Sequence, residues 1–221
     1  FGGKKHRTNY NYLKSFFNWA KARNYIFDIP LPTKWTGSQG DGDINIFSPE
    51  QGRILLEGAY EELLPYYIFN GWAGARKAEI ARCQWEDFDW ANRELVIKKK
   101  NSKGKIKKRR CFIEDAPFQW LLPYEGRTGN IWPVNFDKLW DANRKEIGLF
   151  ECWGHNPLRH SYGTYHVAYH RDKNKTITQM GHKDFQMLED NYDEVVGHGE
   201  SLNWFNIKPL FSDAEVMQNS S

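Results

Sequence analysis

A chain of 221 residues with a formal net charge of +3, 40% hydrophobic residues and ten tryptophans can bury one large core. No apolar run approaches the ~20 residues of a bilayer-spanning helix, so no membrane span is expected within these residues. The three cysteines, Cys83, Cys111 and Cys152, form no CxxC pair and point to reduced thiols in a cytoplasmic setting rather than a disulfide scaffold.

Taken in chain order, Leu13, Phe16, Phe17 and Ala20 recur at helical spacing and predict a helix over 9–23, stopped at Asn24. The chain opens at Phe1 inside what reads as a working helix, so a piece of a longer protein is expected. The expected division is a helical unit over 1–29, a Pro- and Gly-rich linker over 30–46, and a main domain over 47–221 that ends in a tail. Ser48, Pro49 and Gln51 predict an N-cap, a first helical position and a capping box. Further helices are predicted over 61–70, 75–82, 115–122, 135–147, 157–170, 173–180, 184–191 and 200–206, and strands near 86–90, 94–99 and 106–113. The class is therefore mainly α with a small antiparallel β-hairpin insert (α+β).

The charge is uneven. From Lys98 to Arg110 there are nine Lys or Arg and no acid, so the rest of the chain is net acidic. Local basicity of this kind suits a polyanion docked at one place, or a lysine-rich edge strand kept in water.

One constellation carries chemistry. His155-Asn156-Pro157-Leu158-Arg159-His160 is followed by Met180-Gly181-His182 and, ten residues after His182, by Tyr192; upstream lies Gly74-Ala75-Arg76-Lys77-Ala78-Glu79. Two arginines can hold the non-bridging oxygens of a phosphodiester in bidentate forks. A histidine can donate a proton near neutral pH, and a tyrosine oxygen can accept a phosphoryl group covalently. Glu79, three residues after Arg76, lies one turn away and can hold a guanidinium in place. Gly181 is a candidate C-cap ahead of His182. His166 and His170 are four apart, but no glutamate follows His166 as a metalloprotease helix requires, so both are expected at the surface and no metal is assigned. No carboxylate cluster has a convincing metal-ligand spacing, which disfavours a metal-dependent nuclease.

In this order and spacing, these residues resemble the tyrosine recombinases, or phage-type integrases, over roughly residues 44–210. The family's motifs are an arginine followed three residues later by an acid, a hairpin lysine, a histidine-x-x-arginine box, a Leu/Met-Gly-His triplet and a tyrosine nine or ten residues on. The resemblance implies Tyr192 as nucleophile, Arg76 and Arg159 as the phosphate clamp, His182 as a donor to the same phosphate and Glu79 as support. It also implies a hairpin lysine that protonates the leaving 5′ oxygen. Lys103 fits that place best, with Lys100 and Lys105 open; Lys98, Lys99, Lys100, Lys105, Lys107 and Lys108 are then phosphate contacts. The box departs from the family, because Asn156 stands where histidine or lysine is usual. Asn156 can donate a hydrogen bond or serve as a plain helix N-cap before Pro157, and His155 is the other candidate for the missing role.

Residues 1–29 resemble the end of the family's helical core-binding domain. The activity so implied is cleavage and rejoining of double-stranded DNA without metal, ATP or any cofactor, by a homo-oligomer that is tetrameric on DNA and monomeric alone. A type IB topoisomerase and a catalytically silent DNA-binding relative are the alternatives. Trp204-Phe205 and Leu210-Phe211 are read either as intramolecular staples or as a segment exchanged with a neighbouring protomer.

Overall fold

The computed structural model describes residues 4–33, 44–99, 108–154, 156–181 and 196–210, with side chains described from residue 9 onward. The chain falls into two units, Phe1–Asp43 and Ile44–Ser221. In the first unit, α1 (Lys4–Ala22) starts earlier than its apolar stripe predicts, and the chain leaves it at Asn24, whose φ is 59°. Tyr10 and Ala20 are buried; Tyr10 Oη donates to Pro32 O, and Lys14 Nζ donates to Thr33 O at 2.7 Å. Leu13 and Phe16, on the expected inner face, are exposed.

In the second unit the caps written in the sequence set the helix starts. Ser48 Oγ accepts from Gln51 N at 3.2 Å while Gln51 Oε1 accepts from Ser48 N at 3.0 Å, opening α2 (Pro49–Glu57). Next, α3 (Leu64–Gly71) begins at 64 rather than 61, because Pro65 has no N–H and fits only the first turn. The single-turn α4 (Lys77–Ile80) is shorter than the predicted 75–82. The first predicted strand opens instead as a 3-10 turn, Trp85–Asp87, since the Asp87 carboxylate accepts from Gln84 N at 3.1 Å and caps it.

The sheet is antiparallel in the order β1 (Phe88–Asp89), β2 (Glu94–Ile97), β3 (Arg109–Phe112), with Leu95 facing both Phe88 and Cys111. Then follow α5 (Asp115–Gln119), α6 (Phe136–Glu146), α7 (Pro157–His170), α8 (Lys173–Met180) and α9 (His198–Phe205). The helix predicted over 184–191 lies outside the described residues. Mostly helical with one small antiparallel sheet, the fold has the expected class.

Around α7 pack α3, α8 and α9, and α8 also packs on β3. Trp72 and Trp204 stack with ring centroids 4.5 Å apart, and their indoles donate crosswise: Trp72 Nε1 to Trp204 O at 3.0 Å, Trp204 Nε1 to Gly71 O at 3.2 Å. Trp204 and Phe205 are thus buried in this unit's own core, which makes them intramolecular staples. Among the described residues no helix is long and apolar enough to cross a membrane.

The surface placement expected for the two α7 histidines is corrected. His166 is 2% exposed, because its face of α7 is covered by Thr176 of α8 and Phe205 of α9. Thr176 Oγ1 donates to Asp172 O at 3.2 Å, so the 2.6 Å contact with His166 Nδ1 makes that nitrogen the donor. Burial first, then the nearby His170 and Lys175, pushes the His166 pKa from 6.5 down to about 2.

This ring folds neutral and protonates in the unfolded chain, so its contribution is complete above pH 6.5 and is lost as pH falls toward 2. The expected result is a loss of about 1.4 kcal/mol of stability per pH unit below the unfolded value. Denaturant melts at pH 7 and pH 5 measure it, and His166→Asn should flatten the dependence.

Candidate active site

The site starts at a turn that only glycine makes cheaply. Gly74 has φ +66°, and a Cβ there would meet the Tyr162 ring at 2.4 Å. The turn is pinned by Ala75 N donating to Phe69 O at 2.9 Å and by Asn70 Nδ2 donating to Ala75 O at 2.7 Å. It delivers Arg76 in an extended conformation at the N-cap of α4.

Glu79, one turn on, is fully buried and accepts four hydrogen bonds. Two come from Arg76, through its backbone N at 3.0 Å and its side chain at 3.1 Å. The other two come from Arg109 at 2.8 and 2.6 Å, a bidentate fork. Burial alone would raise the Glu79 pKa, but the Arg109 fork and the bonds from Arg76 outweigh it and hold the carboxyl at about 2. It is a permanent anion.

Arg159 enters from α7. Asn156 occupies the N-cap of that helix with φ 52° and ψ 42°, makes no side-chain capping bond, and is followed by Pro157 at the first turn. Arg159 is 8% exposed; its guanidinium donates to Gly74 O and, at 2.6 Å, to Met180 O. Arg76 donates to the next carbonyl along, Gly181 O, at 2.8 Å. Two guanidiniums about eighty residues apart in sequence therefore meet on consecutive carbonyls at the end of α8. Gly181 closes that helix as its C-cap with φ 61°, and a Cβ there would lie 3.0 Å from the Arg109 side chain.

Among the described residues the cluster sets three guanidiniums against one carboxylate, an excess of positive charge. The Arg159 pKa is pushed down to about 9, by burial first and then by the charges of Arg76 and Arg109. Such a potential is relieved by an anion.

Arg109 is the participant that sequence reading missed. It stands inside the basic run, whose composition suits either a docked polyanion or a solvated edge strand and singles out no member. The signal was present in strand parity: Arg109 shares a face with buried Cys111, while Arg110 points out and pairs with Glu94 at 2.5 Å. Gln179 ties the strand to the helices, its backbone O accepting from Arg109 Nε at 2.9 Å and its side chain from Phe112 N at 3.1 Å and Tyr162 Oη at 3.0 Å.

Of the predicted phosphate contacts, Lys98 is exposed but ion-paired with the buried Asp87 carboxylate, and Lys99 and Lys108 are exposed. Lys100, Lys103, Lys105, Lys107, His155, His182 and Tyr192 lie outside the described residues.

No protein-family model matches the chain. No curated protein matches it either. Solved structures do. The integrase of mycobacterium phage Brujita superposes with a TM-score of 0.53 at 18% identity, covering 96% of this chain and 75% of that one. The integrase of the Tn1549 transposon, solved in complex with circular intermediate DNA, gives a TM-score of 0.61 at 15% identity, covering 86% of this chain and 75% of that one. The XerA recombinase gives 0.54 at 16% identity, covering 97% and 75%. The chain has the fold of a tyrosine recombinase catalytic domain.

Proposed function

We propose that the protein is a site-specific DNA recombinase that breaks and rejoins strands through a covalent phosphotyrosyl link. The observation that carries this reading is the convergence of Arg76 and Arg159 on consecutive carbonyls within one positively charged cluster. A phosphodiester presents two non-bridging oxygens to such a pair, and the charge that builds up in the pentacoordinate transition state strengthens the attraction.

In this mechanism Tyr192 Oη forms a bond to phosphorus as the bond to the 5′ oxygen breaks. The phenol proton passes to water, and Lys103 supplies a proton to the departing 5′ oxygen. His182 hydrogen-bonds the same phosphate, with Asn156 or His155 in the place of the usual box histidine. The 3′-phosphotyrosyl ester conserves the bond energy, so a new 5′-hydroxyl can reverse the step on another strand without ATP. Lys98, Lys99, Lys100, Lys105, Lys107 and Lys108 add sequence-independent phosphate contacts, and residues 1–29 are the end of a core-binding domain that helps enclose the duplex. Double-stranded DNA is the partner, held by a tetramer assembled on it.

The expected result is a covalent protein–DNA adduct on a nicked suicide substrate, unaffected by EDTA and abolished by Tyr192→Phe. Persistence of the adduct in that variant would overturn the assignment. A second reading, a DNA-binding relative without chemistry, is favoured by Asn156 in the box. It predicts salt-sensitive duplex binding and no adduct with any substrate.

A further inference from the structure

The last carbonyls of an α-helix have no N–H ahead of them, and they carry the negative end of its dipole. At the end of α8 three carbonyls in a row are each taken by a different arginine. Gln179 O accepts from Arg109 Nε at 2.9 Å, Met180 O from Arg159 at 2.6 Å, and Gly181 O from Arg76 at 2.8 Å. Those guanidiniums come from β3, from α7 and from the N-cap of α4, so the end of α8 is their common reference. A displacement of that end moves all three.

The Gln179 side chain holds it in place. Gln179 is 8% exposed, and its Oε1 accepts from Phe112 N at 3.1 Å and from Tyr162 Oη at 3.0 Å. A backbone N–H can only donate, so the amide oxygen of Gln179, not its nitrogen, faces Phe112. Phe112 lies on β3, an outer strand of the sheet and the one that carries Arg109. Tyr162 lies on α7, three residues after Arg159. One oxygen therefore pins the end of α8 to the two elements that deliver Arg109 and Arg159. An apolar side chain of similar size would fill the space but leave a buried N–H and a buried hydroxyl without that acceptor.

We propose that Gln179 is a positioning residue for strand exchange. Through the Met180 and Gly181 carbonyls, its side chain sets where the Arg76 and Arg159 guanidiniums stand against the scissile phosphate. This inference rests on the strand-exchange reading above.

The test uses the 221-residue chain and nicked suicide duplexes with either a phosphodiester or a methylphosphonate at the cleavage position. A methyl group in place of one non-bridging oxygen makes the phosphate neutral, so the rate depends less on the placing of the guanidiniums. With saturating phosphodiester duplex, Gln179→Leu is expected to slow adduct formation by about tenfold to a hundredfold, the range of a misplacement of an ångström or less. Duplex affinity should stay within about threefold, because phosphate contacts along the whole duplex supply it. On the methylphosphonate the gap between wild type and variant should narrow. Tyr162→Phe, which removes one of the two bonds and keeps the ring, should show the same pattern more weakly. Added to Gln179→Leu, it should slow the reaction no further. Should Gln179→Leu fail to fold, Tyr162→Phe carries the comparison of the two substrates.

Equal gaps on the two substrates, or losses that add in the double variant, would mark plain packing and overturn the role. Wild-type rates in Gln179→Leu would overturn it as well. In each of these results the wild-type adduct leaves the strand-exchange reading standing. No adduct from wild type on the phosphodiester would sink that reading, and the positioning role with it.

Discussion

Replacing Arg109 by methionine is expected to lower the stability of the Ile44–Ser221 unit by about 3 kcal/mol, and adding Glu79→Gln to the same chain is expected to restore most of it. Glu79 is fully buried, and Arg109 supplies two of the four hydrogen bonds that keep it charged. Without Arg109 a desolvated carboxylate is left with Arg76 alone, whose side chain is 29% exposed and shared with Gly181 O.

Removing the acid together with Arg109 takes away the uncompensated charge, and buried pairs replaced as pairs cost little. The charge of the cluster separates this from simple packing. Among the described residues, wild type sets three guanidiniums against one carboxylate. Arg109→Met leaves two against one, and the double variant two against none. Anion affinity should therefore fall in the single variant and recover in the double. Denaturant unfolding followed by tryptophan fluorescence, and titration with a short oligonucleotide, read the two effects. A single variant as stable as wild type, or a double variant no better than the single, would contradict the arrangement.

Gly74→Ala is expected to cost about 2–4 kcal/mol, from the left-handed φ and from the overlap of the new methyl with a ring that cannot move away. That ring, Tyr162, is 1% exposed and tied to Gln179 Oε1 at 3.0 Å. The backbone carbonyl of Gly74 also accepts from Arg159, so a shifted turn moves the clamp. Adduct formation should fall by more than the loss of folded protein explains. Tyr162→Leu in the same chain should recover part of the stability by opening space, while Tyr162→Phe should not, since the ring remains. Unchanged melting of Gly74→Ala would show that the turn is not under this constraint.

Where punctuation was explicit, the sequence was enough to place the elements. Both bounds of α7 and α8 fall as predicted, since Asn156-Pro157 and Gly181 mark ends that neighbouring elements do not alter. The capping box of α2 is likewise as read. Tertiary context decided the rest. His166 and His170 share one face of α7, and nothing local says that Phe205, nearly forty residues on, covers one of them.

Arg109 was hidden by its neighbours. A buried arginine inside a thirteen-residue stretch with nine basic residues is visible only through the period-2 parity that puts it on the face of Cys111. For Arg76, Glu79 and Arg159 the spacing named the residues, but the carbonyls of Gly74, Met180 and Gly181 that bring them together carry no side-chain signature.

In the function proposed above, the guanidiniums at 76 and 159 hold a phosphate in line for the oxygen of Tyr192. The most direct test of that arrangement is to trap the protein on a nicked duplex, digest both components and locate the nucleotide by mass spectrometry. The expected product is a nucleotide esterified to Tyr192, formed at least about a hundredfold more slowly when Arg159→Ala removes half of the clamp, in the range of losing one stabiliser of transition-state charge. A nucleotide on any other side chain, or a Tyr192 ester formed at the wild-type rate without Arg159, would contradict it.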